Sequence, residues 1–465
     1  MLFSSFSFLF WFLPLTLALY FLPSLLSGRR LLGWQNGVLL AASLFFYAWG
    51  EPLYLFLMLG VIFFDTVWGL LLERRHSRAL LTLGVALHLS LLFYFKYAHF
   101  FLGLIGLPIS PPALPLGISF YSFQALSYLL DIWAGRVRAE RSPFRLGLYI
   151  ALFPQLIAGP IVRYTDVNEA LSSRRHSLGL AAAGIRRFSV GLAKKLVLAN
   201  PCGALFSTLA ARGAALSALG ALTELLCFAF QLYFDFSGYS DMAIGLSRVF
   251  GFSFPENFKY PYTARNITDF WRRWHITLSS FFRVYLYFPL GGSRRGRGRT
   301  VFNLLVVWLL TGLWHGASFN FIFWGLYYFL LLTLEKFLLE KPLSKIPPPL
   351  AHTLTLAAVL FGWLLFAFDG STPYLSFSAL PTFLAALLGA NGLSAPADLY
   401  ELVRHLPILA LCALGSTPLP RRLYRGVVSK KRQGWLRTAL PLAALLLAVV
   451  ELSAAGFNPF LYFRF

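Results

Sequence analysis

Apolar runs close to the length of a bilayer crossing recur along this chain, and short basic segments separate them. A helix needs about 20 predominantly apolar residues to cross hydrocarbon, and the first run, residues 3–26, already has that length. It lacks a basic leading segment and a small-residue cleavage site, so it reads as a retained span rather than a signal peptide. Hydrophobic residues make up 58% of the chain and charged residues 12%, roughly half the charged share of a soluble domain. The expected fold is all-α: a polytopic integral membrane protein of about ten to twelve transmembrane helices, with re-entrant and interfacial helices added. It is read as one membrane-embedded domain over residues 1–465, with a core near 100–370.

A net charge of +22 raises nucleic acid as a partner, but the charge distribution excludes it. The basic residues cluster at Arg29-Arg30 and in residues 74–78, 136–145, 294–299 and 421–437. Basic segments between apolar runs follow the positive-inside rule and face an anionic leaflet, so membrane lipid is the expected partner. Residues 31–72, 79–135 and 299–336 each have room for a pair of crossings, which returns every basic loop to the same face. Cys202, Cys227 and Cys412 are scattered, and neither a disulfide framework nor a metal site is expected from them.

Within the apolar hairpin of residues 300–335, only His315 can exchange a proton near neutral pH. An ionisable residue inside a membrane segment is a functional candidate by default, and imidazole suits proton transfer near pH 7. The alternative is a buried histidine hydrogen-bonded to a neighbouring helix.

Pro14, Pro23, Pro108, Pro111, Pro112 and Pro115 interrupt the early runs, which membrane helices tolerate where neighbours satisfy the backbone. Gln124, Tyr128 and Asp131 fall near helical spacing and share a face. Residues 153–160 are too short and broken for a span and read as a re-entrant or partly buried element. Residues 163–195 are charged with helical period and read as lying along the inner surface. Asp235, Ser237, Tyr239, Ser240 and Asp241 follow an apolar run directly. In Asn266-Ile-Thr-Asp-Phe-Trp-Arg-Arg-Trp-His275, Asn266 is the expected N-cap, with Asp269 in the first turn. On one continuous helix Asp269 would meet Arg272 and Arg273, and Trp271 would meet His275. The rival reading is an amphipathic interfacial helix anchored by its aromatic residues.

Together these stretches resemble the membrane-bound O-acyltransferases, specifically the bacterial alginate O-acetyltransferase branch. Five segments carry the likeness: Pro115-Leu-Gly-Ile-Ser-Phe through Asp131; residues 153–160; Asp235-Phe-Ser-Gly-Tyr-Ser-Asp241; Asp269-Phe-Trp-Arg-Arg-Trp-His275 through Pro289-Leu-Gly-Gly292; and Gly312-Leu-Trp-His315-Gly-Ala. The tail from Asn458 to Phe465 is similar to the alginate branch rather than the D-alanyl-transfer branch. The resemblance implies that His315 is the family's near-invariant active-site histidine and His275 the second site histidine. Trp314, Asn320, Ser318, Asp269, Trp271, Arg273, Trp274, Asp235, Ser237, Tyr239 and Gln155 are the candidate substrate-binding or supporting residues. Val284 stands where an acidic residue is expected, and Tyr328 where a further histidine is common.

Acetyl transfer from a thioester to a hydroxyl needs a base for the hydroxyl and donors for the developing oxyanion. A neutral imidazole in a membrane cavity suits the base, because burial disfavours its charged form. His315 is assigned that role, with His275 polarising the thioester carbonyl or holding the second substrate. Asn320 and Ser318 are candidate donors. A helix over residues 300–318 rises about 28 Å, so His315 is expected in the outer half of the membrane and His275 nearer the basic inner face. The reaction expected is therefore acyl relay across a bacterial cytoplasmic (inner) membrane. Its donor is acetyl-CoA or another acyl thioester on an acyl carrier, and no bound cofactor or metal is expected. Its acceptor is a polysaccharide hydroxyl, with an extracytoplasmic acetyltransferase partner protein completing transfer. Two rivals are a transporter or flippase, which calls for internal repeats that the sequence does not display, and a polysaccharide-export scaffold, which should tolerate loss of either histidine.

Overall fold

The structure is a computed structural model, and it describes residues 1–29, 31–107, 109–110, 113–370, 373–428, 435–454 and 460–461. Arg30, Pro108, Pro111, Pro112, most of the tail beyond residue 454 and residues 429–434 of the last basic cluster lie outside the described residues. The described residues are helical with no strand, as the unbroken apolar runs demand.

Among the described residues, seven helices are long and apolar enough to cross a membrane: Ser7–Ser27, Tyr54–Arg75, Arg78–Leu104, Ala218–Val249, Phe319–Leu343, Pro348–Ala367 and Leu436–Ala454. The pair Pro396–Gly415 and Leu419–Val427, bent by 76°, makes an eighth if it is one span. Among the described residues this falls short of ten to twelve, because several runs fold as shorter buried helices. Ile118–Trp133, for example, buries nearly every side chain it carries.

The chain forms two compact units. The first takes Met1–Leu192, Tyr239–Glu256 and Leu452–Arg464. Phe3, Phe8, Phe12, Phe46 and Phe153 interlock there as tilted and edge-on rings. Gln124, Tyr128 and Asp131 are all buried, as their shared face requires. Tyr128 accepts from the Glu140 N–H at 2.9 Å, and Asp131 pairs with Arg136 at 2.8 Å. Residues 153–160 are a buried turn rather than a span: the Phe153 N–H donates to Ser43 Oγ, and Gln155 Nε2 to the Tyr149 carbonyl. Residues 163–195 divide into helix Tyr164–Ser172 and helix Leu178–Ala193, which runs on into the π-helical stretch Lys194–Ala199.

The second unit takes Ala193–Gly238 and Asn257–Glu451. Its centre is a helical hairpin of Gly296–His315 and Phe319–Leu334. A Cβ on Gly312 would strike the Phe321 carbonyl, and one on Gly325 the Trp308 carbonyl, so two glycines let the backbones touch. Close approach through small residues is how helices associate without a hydrophobic drive. Asn303 Nδ2 donates to the Leu290 and Gly292 carbonyls and Arg299 Nε to Leu290, which ties the Pro289-Leu-Gly-Gly292 loop to the hairpin.

Candidate active site

His315 is the last residue of its helix, and the chain leaves it fully extended at Gly316. Its ring is 5% exposed and lies edge-on to Trp324 and Phe366, each with its centroid 5.1 Å away, and 5.0 Å from Trp314. Trp314 in turn stands 5.7 Å from the ring of His275. The two histidines therefore flank one indole. Their separation along different helices hid this tertiary approach.

The stretch around His275 also differs from the single helix expected. Asn266 caps as foreseen, accepting from the Asp269 N–H at 2.6 Å, and Asp269 pairs with Arg273 at 2.8 Å. The helix ends at Trp271, however, and the next, Ile276–Phe282, begins only after His275. His275 itself has φ 43° and ψ 53°, the left-handed region that costs a residue with a Cβ about 1–2 kcal/mol. Such strain persists only where surrounding contacts over-determine it. Trp271 consequently packs on Trp308, Trp324 and Tyr328 rather than following the expected pairing with His275, whose ring meets Phe236 edge-on at 4.7 Å. Nor is the stretch an interfacial helix, because Trp271, Trp274 and His275 are buried. Burial pushes the His275 imidazole down to about 3, so it is neutral at physiological pH.

Several implied site residues have structural partners. Asn320 Nδ2 donates to the Leu365 and Phe366 carbonyls at 3.4 Å, holding the end of helix Pro348–Ala367 and with it the Phe366 ring. Ser318 precedes helix Phe319–Leu334 without a side-chain cap bond, and its hydroxyl keeps its candidacy. Trp274 stacks among Tyr262, Phe270 and Trp363. Asp235 pairs with Lys195 at 2.6 Å, and Ser237 accepts from Lys194. Gln155 and Tyr239 belong to the first unit, where Tyr239 stacks on Phe3 at 4.7 Å.

Three further residues escaped the sequence reading. Glu335 accepts from the N–H groups of Ile267 and Thr268 at 2.7 and 2.9 Å, so a carboxylate from the hairpin caps the Trp271 helix. Asn257 contacts His275 directly at 3.1 Å. Lys195 is a buried cation in a stretch that reads as surface. A lone acid at the end of an apolar run was the available signal for Glu335; the other two had none. Trp271 Nε1, Trp324 Nε1 and Tyr328 Oη are buried donors with no acceptor among the described residues. Native proteins keep few such groups.

The model of MBOAT, the membrane-bound O-acyltransferase family, matches residues 113–361 and so takes in both histidines. The probable alginate O-acetylase AlgI of Pseudomonas putida is 36% identical over 500 residues, covering 100% of each chain. The peptidoglycan O-acetyltransferase of Helicobacter pylori is 36% identical across 85% of this chain and 81% of its own. The teichoic acid D-alanyltransferase of Bacillus subtilis is 30% identical over 54% of this chain and 68% of its own. With long apolar helices, a matched family core and full-length relatives of this kind, the chain is an acyltransferase and belongs to the membrane-bound O-acyltransferase family.

Proposed function

We propose that this protein moves an acetyl group from a thioester donor, acetyl-CoA or an acyl carrier, to a hydroxyl of an extracytoplasmic polysaccharide or of a partner protein that serves one. Its seat is a bacterial inner membrane. The observation that carries the reading is the placement of His315 at a helix end, enclosed by Trp314, Trp324 and Phe366 and one indole from His275. His315 withdraws the hydroxyl proton as the oxygen attacks the thioester carbon, and the thiolate leaves as the tetrahedral intermediate collapses. The donors on Trp271, Trp324 and Tyr328 are available to a substrate carbonyl, since nothing described in the protein accepts from them. Helix Gly296–His315 has 20 residues and rises about 30 Å, the thickness of a hydrocarbon core. With the Arg294–Arg299 cluster inside, its far end faces the acceptor's compartment. Relatives named for alginate and peptidoglycan O-acetylation favour a glycan hydroxyl as acceptor.

The test is transfer of radiolabelled acetyl from acetyl-CoA by purified protein to alginate or peptidoglycan fragments, with and without an extracytoplasmic partner. Label should depend on His315. A correctly inserted His315→Ala variant that transfers at the wild-type rate overturns the assignment.

A further inference from the structure

Asn257 is buried, on a strap that runs alongside the chain carrying His275. Two backbone bonds join them: Lys259 N–H to the Arg273 carbonyl at 2.9 Å and Ile276 N–H to the Asn257 carbonyl at 3.0 Å. These bonds bracket His275 and hold it in its left-handed conformation. The Asn257 side chain then reaches the same turn three times. Its Oδ1 lies 3.3 Å from Thr277 N, 2.9 Å from Thr277 Oγ1 and 3.1 Å from His275 Nδ1.

The chemistry of these partners settles two assignments that positions alone leave open. An amide oxygen and nitrogen look alike, and an imidazole has two tautomers. The Thr277 backbone N–H can only donate, so the Asn257 atom facing it is the oxygen. That oxygen can only accept, so His275 Nδ1 must carry the proton it presents. In the neutral ring, the lone pair is then on Nε2.

We infer that Asn257 is a positioning residue that fixes the Nδ1–H tautomer of His275, making Nε2 a hydrogen-bond acceptor for a glycan hydroxyl beside the attacking one, whose own proton goes to His315. A neutral ring in this tautomer has no proton on Nε2 with which to polarise a thioester carbonyl. His275 therefore holds the acceptor substrate through that neighbouring hydroxyl, and the carbonyl is left to other donors. The kinetic part of this inference rests on the proposed acetyl transfer; the tautomer does not.

The experiment has two arms. Full-length protein labelled with 15N-histidine is compared by NMR with His275→Gln, which identifies the His275 signals, and with Asn257→Leu and Asn257→Asp. Wild type should show a protonated Nδ1 and a bare Nε2. Asn257→Asp, which retains the acceptor, should keep that pattern, and Asn257→Leu should lose it. In the transfer assay, Asn257→Leu should lower kcat on the order of 10-fold or more. The KM for the thioester should be unchanged, because His275 does not contact the carbonyl. Asn257→Asp should retain transfer and move the acid limb of its pH profile upward, since a carboxylate favours the imidazolium. A wild-type ring protonated on Nε2, or an Asn257→Leu variant with unchanged tautomer and kcat, overturns the inference. Absence of acetyl transfer in wild type would instead count against the proposed function and leave the NMR arm to decide the tautomer.

Discussion

Lys195 and Asp235 meet at 2.6 Å with side chains only 3% and 2% exposed, and breaking that pair should be far more damaging than deleting it. Each charge has left water, and their attraction offsets a desolvation penalty of several kcal/mol per ion. Lys195→Met removes the cation and strands the carboxylate, which is expected to cost about 3–5 kcal/mol. Asp235→Leu strands the ammonium at a similar cost. Lys195→Met/Asp235→Leu removes both charges and fills the space with hydrocarbon, an exchange that is often neutral or stabilising by about 1–4 kcal/mol. The double variant should therefore melt above either single one, with a coupling energy on the order of the single losses. Thermal unfolding of all four proteins in one detergent measures this, and acetyl transfer by the double variant tells whether Asp235 serves architecture or chemistry. Singles that melt with the wild type, or a double that loses the sum of both, would refute the reasoning. A double that melts like wild type but transfers no acetyl would place Asp235 in the reaction.

Other expectations follow from single contacts. Gly312→Ala puts a methyl group into the Phe321 carbonyl, which as backbone cannot swing aside, and should destabilise by about 1–3 kcal/mol. Gly298→Ala, with nothing within 4 Å, is its neutral control in the same melt. Glu335→Gln weakens two charge-assisted bonds to the helix that leads into Trp271 and His275, so a loss of about 1–2 kcal/mol is expected along with a fall in kcat. The pH dependence of stability carries a His275 signature. Its pKa is held at about 3 in the folded state, against about 6.5 for a solvated imidazole, so between those values only the unfolded chain takes up the proton. Stability is then fully present above about pH 6.5 and declines as pH falls towards 3. His275→Gln should flatten that part of a melting-temperature profile, and an unchanged slope would show that His275 is not buried neutral.

Much of this protein is legible in its sequence because hydrocarbon imposes a one-dimensional rule. Apolar runs of crossing length fixed the all-α membrane class, and the isolated proton-exchanging residue of one run singled out His315. The Asn266 cap and the Asp269–Arg273 pair were also readable, since each spans three or four residues of a local helix. The break that puts His275 in a left-handed turn was not readable, because it is enforced by a strap 18 residues earlier in the chain. Nor was the joint approach of His275 and His315 to Trp314, or the carboxylate of Glu335 reaching 68 residues back to Ile267. Local periodicity reports which face of an element is buried. Which side chains meet across elements depends on helix crossings set by glycines such as Gly312 and Gly325, and only the folded chain decides those.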